Sequence, residues 1–319
     1  MPTVVFLIWS ILAGFLSPLI AAEPSIVSYR KTVGPPIVFA PSDAQVSAGG
    51  PKGRLIIVNW NVHVGHGDVA GLVDKIFSAE KASGFGKPEF VLLLEESFRQ
   101  GENIPAPIGI KVPSRIAPPD PKLDIQDVAR KLGWWLYYAP SMRNGDGVGV
   151  HAEDRGNAIL SSLPLGGVEA VELPFAVQRR VALIATISDA QKQPRLRVAV
   201  THFDTRASLI NGWIFGGPAA RNNQAKEFVS ALKKFEADRL PLIVGGDLNT
   251  YLGSKTVIDT MSGIASHTDC GNEPTHTWGV KLDHIFASIP ANWPGRCVRG
   301  DSTFGSDHYP LVLPLNVSW

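Results

Sequence analysis

Apolar runs of strand length that end in short polar islands constrain this chain more than any other feature. R-L-I-I-V runs into N-W-N at 59–61, F-V-L-L-L into E-E at 95–96, and R-V-A-V-T into His202. P-L-I-V runs into G-G-D-L-N at 245–249, and L-D-H at 282–284 and G-S-D-H at 305–308 complete the set. A strand that ends in Asp, Asn, Glu or His places a polar tip on a rigid support, as a preorganised site requires. The islands hold carboxylates, amides and imidazoles but no cysteine cluster, which favours an oxygen-ligated cation combined with acid–base chemistry.

Between the islands the pattern alternates between strand and helix periods. Leu55, Ile57, Asn59, Asn61 and His63 share one face of a predicted strand. Residues 68–81 carry apolar positions at helical spacing with Asp68 as N-cap, and a second helix is expected at about 124–132. Phe90–Leu94 reads as a buried strand ending at Glu95-Glu96, and W-L-Y-Y-A and N-A-I-L-S-S as further strands. Residues 181–188 and 196–201 are expected to form a strand pair, 221–237 a helix and 242–244 a central strand. The proline-rich stretch 99–122 is expected to be a long surface loop. No second composition regime divides the 319 residues, so one α/β domain over 54–319 is expected, after a Pro-, Ser- and Gly-rich linker at 23–53.

Residues 4–22 contain no charged side chain and end in Ala21-Ala22, as in a secretory signal peptide over 1–22. The same run is long enough for an uncleaved N-terminal anchor. Either places the protein outside the cytoplasm, secreted or periplasmic. Cys270 and Cys297 fit export as a disulfide, the alternative being two buried free thiols. Neither has the companion ligands of a zinc site. The net charge of +1 gives no electrostatic case for a strong polyanion binder, although a local basic groove is compatible with it. The zinc-protease pattern H-E-x-x-H and the serine-hydrolase pattern G-x-S-x-G are both missing.

N-W-N-V-H, L-L-E-E-S, G-N-A-I-L-S, T-H-F-D, G-G-D-L-N-T, L-D-H-I-F and G-S-D-H-Y-P together resemble the endonuclease/exonuclease/phosphatase superfamily, the DNase I-like metal-dependent phosphoesterases. The resemblance covers about 55–315 and implies a four-layer α-β-β-α sandwich with the site at one end of two packed sheets. It implies that Asn61, Glu96 and Asp307 hold a divalent cation, Mg²⁺ or else Mn²⁺. Glu95 stands where the family commonly has Gln, which leaves open whether one or both glutamates face the metal. Asp247 would orient or deprotonate the attacking water, Asn249 would hold that water or the phosphate, and His202 would contact non-bridging oxygens. His308 would serve as acid–base or phosphate clamp, with Asp283 fixing its tautomer. Arg155, Asn157 and Arg221 are further candidates for phosphate contact.

These residue types suit phosphodiester hydrolysis, where a cation and hydrogen-bond donors must offset the charge that repels the nucleophile. Nucleic acid is the favoured substrate, because Lys111, Arg115, Lys122, Arg130, Lys131, Arg143, Arg179, Arg180, Arg195 and Arg197 could form a phosphate-tracking surface. A lipid headgroup is the alternative, with the apolar 209–215 loop as its membrane element. An inactive binding module of the same fold is a third possibility, against which the intact polar set argues. No protein partner is implied, and a monomer is expected.

Overall fold

The computed structural model describes residues 22–41, 53–105, 122–144, 152–176, 178–205, 217–250 and 254–318. Two sheets carry the fold. The first has seven strands in the order β1 (Ile37–Phe39), β4 (Trp135–Arg143), β5 (Glu153–Ser161), β3 (Glu89–Gln100), β2 (Gly53–Asn61), β13 (Leu311–Val317) and β12 (Val298–Arg299). The second has six, in the order β10 (Ser266–His267), β11 (Asp283–Ser288), β9 (Leu242–Asp247), β8 (Pro194–His202), β7 (Val181–Ser188) and β6 (Leu165–Glu172).

Alternation along the strands divides the apolar residues among layers, because successive side chains point to opposite faces. Leu55 and Ile57 of β2 and Leu93 of β3 join Val198, Val200, Ile243 and Ile285 in a core between the sheets. Ile56, Val58 and Trp60 face outward onto α2 (Val69–Ala82) and α3 (Ile125–Leu132), through Leu72, Val73 and Val128. On the second sheet Ala199, Val244 and Phe286 pack against α4 (Gly217–Lys233) and α5 (Ser254–Met261), through Phe228, Val257 and Met261. The result is the expected α-β-β-α sandwich. Each fully buried aliphatic or aromatic side chain of this kind contributes about 1.5–3 kcal/mol.

Local chemistry sets the helix ends. Asp68 caps α2 by accepting from Gly71 N, and Asp124 caps α3 by accepting from Gln126 N, with Gly133 in the left-handed conformation at its other end.

Several boundaries differ from expectation. The 23–53 stretch is not a plain linker, for it contains α1 (Ala22–Thr32) and β1, which pairs with β4. Burial explains the order there. Arg99 and Asp154 form a buried ion pair, and Gly34 N donates to Asp154 while Arg99 donates to Pro35 O, so this segment satisfies the pair. Tyr29 of α1 is fully buried against Met142. Strand β3 runs past Glu95-Glu96 to Gln100, and its pairing with β5 shifts register between Leu94 and Ser97. Helix α4 begins at Gly217, so Arg221 lies inside it rather than at its start, and it is fully buried. Cys270 and Cys297 are joined in a disulfide with Cα atoms 4.5 Å apart. Residues 4–21 of the leader, most of the proline-rich loop and the 209–215 loop lie outside the described residues, as do Lys111 and Arg115.

Candidate active site

Topology brings the polar strand ends together. β2 and β3 are parallel with Asn61 opposite Glu95, and β8 and β9 are parallel with His202 opposite Asp247. β11 runs antiparallel to β9 and starts with Asp283 opposite Asp247. All these termini therefore emerge at one end of the sandwich. The double glycine of G-G-D-L-N has a steric reason: a Cβ at Gly245 would lie 2.2 Å from Asn59 Oδ1 of the facing sheet. Glycine there lets the two sheets close beneath the site.

The termini line a cavity of about 110 Å³ formed by Asn61, His63, Glu96, His202, Thr205, Asp247, Asn249, His276, Trp278, Val280, Leu282, Asp307 and His308. The register shift in β3 separates the two glutamates. Glu96 takes φ of 51° and joins the cavity wall, whereas Glu95 is fully buried and outside it. A bulge re-aims side chains in this way. Burial, reinforced by the charges of Asp283 and Asp247, pushes the Glu95 carboxyl well above the usual carboxylate range. Of the two glutamates, Glu96 alone lines the cavity.

Asp247 stands at the centre. Its Oδ2 accepts from Asn61 Nδ2 at 3.0 Å and its Oδ1 from Asn249 N at 3.0 Å. His202 Nε2 lies 3.5 Å and His308 Nε2 3.8 Å from Oδ2. Burial and the Asp283 charge raise the Asp247 carboxyl to about 6, against the opposing pull of His308. His308 Nδ1 is 2.8 Å from Asp283 Oδ2, which fixes its orientation. Burial alone would lower the His308 pKa, but Asp283, then Asp247 and Asp307, raise it to about 10. His308 is therefore an imidazolium facing carboxylates.

Asn61 and Asn249 are both engaged within the site. Asn61 Oδ1 accepts from His63 N at 2.9 Å, which leaves it one lone pair, and Asn249 Nδ2 donates to Phe203 O at 3.0 Å. Asp307 is met by His276 Nε2 at 3.4 Å and His63 Nε2 at 3.6 Å on Oδ2, and by His308 Nε2 at 3.9 Å on Oδ1. Burial would raise the Asp307 carboxyl, yet His276, His308 and His63 outweigh it and hold it down at about 2.

A divalent cation fits this donor set. Glu96 Oε2 is buried with no hydrogen-bond partner, and a buried carboxylate oxygen without a partner is costly unless a cation offsets it. Glu96 and Asp307 could serve as its anionic ligands, both lining the cavity with Asn61.

Arg155, Asn157 and Arg221 do not line the cavity. Arg155 Nη2 donates to Met142 Sδ, Asn157 Nδ2 to Val181 O at 2.7 Å, and Arg221 Nη1 to Thr205 O at 3.2 Å. These contacts brace strands and the cavity wall instead of reaching substrate directly. Sequence reasoning assigned no site role to His63, His276 and Trp278. His63 sits within N-W-N-V-H and on the same strand face as Asn61, a signal that was present; His276 and Trp278 carry no pattern of their own.

The model of the Endonuclease/Exonuclease/phosphatase family matches residues 58–308. No curated protein matches the sequence. Among solved structures, an endonuclease/exonuclease/phosphatase from Beutenbergia cavernae is 18% identical with a TM-score of 0.54, covering 83% of this chain and 72% of its own. The human Nocturnin catalytic domain with bound sulfate is 17% identical with a TM-score of 0.54, covering 88% of this chain and 96% of its own. A Bacteroides vulgatus member is 14% identical with a TM-score of 0.51, covering 83% and 99%. At such identities the structures establish a shared fold, whereas the family match takes in every polar island. This chain belongs to the Endonuclease/Exonuclease/phosphatase family, whose members hydrolyse phosphoester bonds.

Proposed function

We propose that the protein is an exported, Mg²⁺-dependent phosphodiesterase that favours nucleic acid. The carrying observation is the Asp247 carboxylate, fixed by Asn61 and Asn249 and flanked by two imidazoles in a cavity that also presents Glu96 and Asp307. A divalent ion held by Glu96 and Asp307 would neutralise charge on the phosphoryl group. Asp247 accepts the proton of a water that attacks phosphorus, and the bond from phosphorus to the leaving oxygen breaks. Its raised pKa suits a base working near neutral pH. His308 donates from Nε2 to a phosphoryl oxygen, while Asp283 holds its other nitrogen. His202, whose Nε2 lies near the same Asp247 oxygen, would contact the non-bridging oxygens.

Substrate preference rests on the cavity rim rather than on a long basic track. Arg130, Arg179, Arg180, Arg195 and Arg197 pair with Asp127, Glu172, Asp204, Asp189 and Asp238, Lys122 pairs with Glu153, and Arg143 donates to Pro105 O. Of these, Arg143, Arg180 and Arg197 are buried within the fold. Trp278, 66% exposed at the rim, offers a flat face for a nucleobase next to the scissile phosphate. The Cys270–Cys297 disulfide supports export. Among the described residues no helix is long and apolar enough to cross a membrane.

Purified protein assayed on DNA, RNA, sphingomyelin vesicles and bis(p-nitrophenyl) phosphate tests this directly. Hydrolysis of nucleic acid that stops with chelator and returns with Mg²⁺ is the expected result. Turnover of sphingomyelin with nucleic acid left intact would reverse the substrate assignment.

A further inference from the structure

Strand β8 ends at His202, and the residues that follow carry the cavity wall from His202 to Thr205. In extended chain the N–H and C=O of one residue point to one side and those of the next to the other. Phe203 uses its pair on the catalytic turn. Its N–H donates to Asp247 O at 3.0 Å, and its C=O accepts from Asn249 Nδ2 at 3.0 Å. Asp204 uses its pair on helix α4. Its N–H donates to Gln224 Oε1 at 2.8 Å, and its C=O accepts from Arg221 Nη1 at 3.5 Å. The same Nη1 reaches Thr205 O at 3.2 Å.

The Asp204 carboxylate completes a network. Its Oδ1 accepts from Arg180 Nε at 3.3 Å and its Oδ2 from Gln224 Nε2 at 3.3 Å, while Gln224 Nε2 also donates to Pro174 O at 3.0 Å. Arg221 and Gln224 stand at i and i+3 on α4 and so share a helix face. Arg221 and Gln224 are fully buried, and Asp204 and Arg180 nearly so. Apolar packing of similar volume would avoid the desolvation that such groups cost. What they provide in its place is a fixed course for the segment between His202 and Thr205.

We propose that Arg221, Gln224 and Asp204 are positioning residues for the hydrolysis: they set the 202–205 segment so that His202 meets the phosphoryl oxygens in register with Asp247. The inference rests on the phosphodiester hydrolysis proposed above and names the groups behind one of its oxygen contacts. None of the three lines the cavity. They act through the backbone, because a shift at Asp204 moves His202 and, through Phe203, the Asn249 amide. A misplacement of about 1 Å lowers an enzymatic rate about a hundredfold.

Steady-state hydrolysis of bis(p-nitrophenyl) phosphate with Mg²⁺ is the assay. Arg221→Lys keeps the charge but removes the guanidinium that serves two carbonyls. Gln224→Met keeps the volume but removes the acceptor for the Asp204 N–H. Each should lower kcat about a hundredfold, with KM within about twofold of wild type. The Mg²⁺ concentration for half-maximal activity should not change, because Glu96 and Asp307 belong to the other sheet and its loops. A double-mutant cycle separates positioning from stability. Adding Gln224→Met to His202→Ala should cost far less than it costs the wild type, since both changes remove one interaction. A structural role alone would reduce both backgrounds by the same factor, and that result overturns the proposal. So does a raised Mg²⁺ requirement, or a kcat within about twofold of wild type in both single variants. Circular dichroism identifies folded variants; should Gln224→Met not fold, Arg221→Lys enters the cycle in its place. A wild type that hydrolyses no phosphodiester removes the function on which the inference rests, whereas an active wild type with additive variants removes only the positioning role.

Discussion

Asp283 and His284 are neighbours on β11, yet they belong to two histidine clusters with opposite electrostatics. Asp283 faces the site and holds His308, which its carboxylate neighbours raise to about 10. His284 faces the other side of the strand, where its Nε2 lies 2.8 Å from Thr250 Oγ1 and its Nδ1 3.1 Å from His267 Nε2. Burial, with the charges of His267 and Lys281, lowers His284 to about 3. Both rings are deeply buried. What separates them is the sign of the charge each one meets. Carboxylates outweigh desolvation for His308, and cationic neighbours add to it for His284. One imidazole is cationic at neutral pH, and the other is a neutral hydrogen-bonding group.

The most severe way to break the contrast is to remove the carboxylate that creates it. Asp283→Asn should lower kcat by about two to four decades, the range for a positioned acid–base group. In the same variant the His308 imidazole resonance should titrate well below about 10, toward the ordinary value of about 6.5. A His308 titration that stays put would show that Asp247 and Asp307 suffice to hold the cation.

The pH profile sharpens the comparison next. Asp247 must be ionised to accept a proton, so kcat/KM should fall as pH drops through about 6. His308 must stay protonated to clamp phosphate, so activity should fall again as pH rises through about 10. The His284 transition, near 3, should leave no mark on the profile above pH 5. An acid limb at about pH 4, the ordinary carboxylate value, would place the essential base elsewhere.

A smaller effect tests the frame between the clusters. The segment from His267 to Asp283 carries His276 and is stapled by the Cys270–Cys297 disulfide, whose partners have a sequence separation of 27. Replacing both cysteines by serine should cost about 3–4 kcal/mol in the chain-entropy model, read from denaturant unfolding. The smallest change is expected at the neutral pair. His267→Ala should cost about 0.5–1.5 kcal/mol, the net worth of one hydrogen bond, with kcat unchanged. A large loss of kcat in that variant would join the two clusters into one catalytic unit.

Much of this was legible before the fold was known. The N-caps Asp68 and Asp124, the alternating β2, and the strand ends at His202 and Asp247 follow from periodicity and local hydrogen bonding. The His308–Asp283 pair follows from the family motifs. The basic residues were not legible, because a positive charge in sequence says nothing about whether an aspartate or glutamate will meet it. Arg180, Arg197 and Lys122 are consumed by ion pairs with Asp204, Asp238 and Glu153, partners between 24 and 41 residues away. The 22–39 segment was misjudged on composition, since its order comes from Tyr29 and from Gly34 and Pro35 meeting a buried Arg99–Asp154 pair.

By itself the sequence determined which side chains could take part: polar tips on apolar strands, in the order that marks the family. Alternation and capping are local, so neighbours along the chain are enough to decide them. Tertiary structure decided between Glu95 and Glu96, because only the register shift in β3 turns one into the core and the other into the cavity. It also decided that His63 and His276 meet Asp307, across about 240 and 30 residues of chain respectively. Such meetings depend on how two sheets pack and where their ends converge, and no local pattern carries that information.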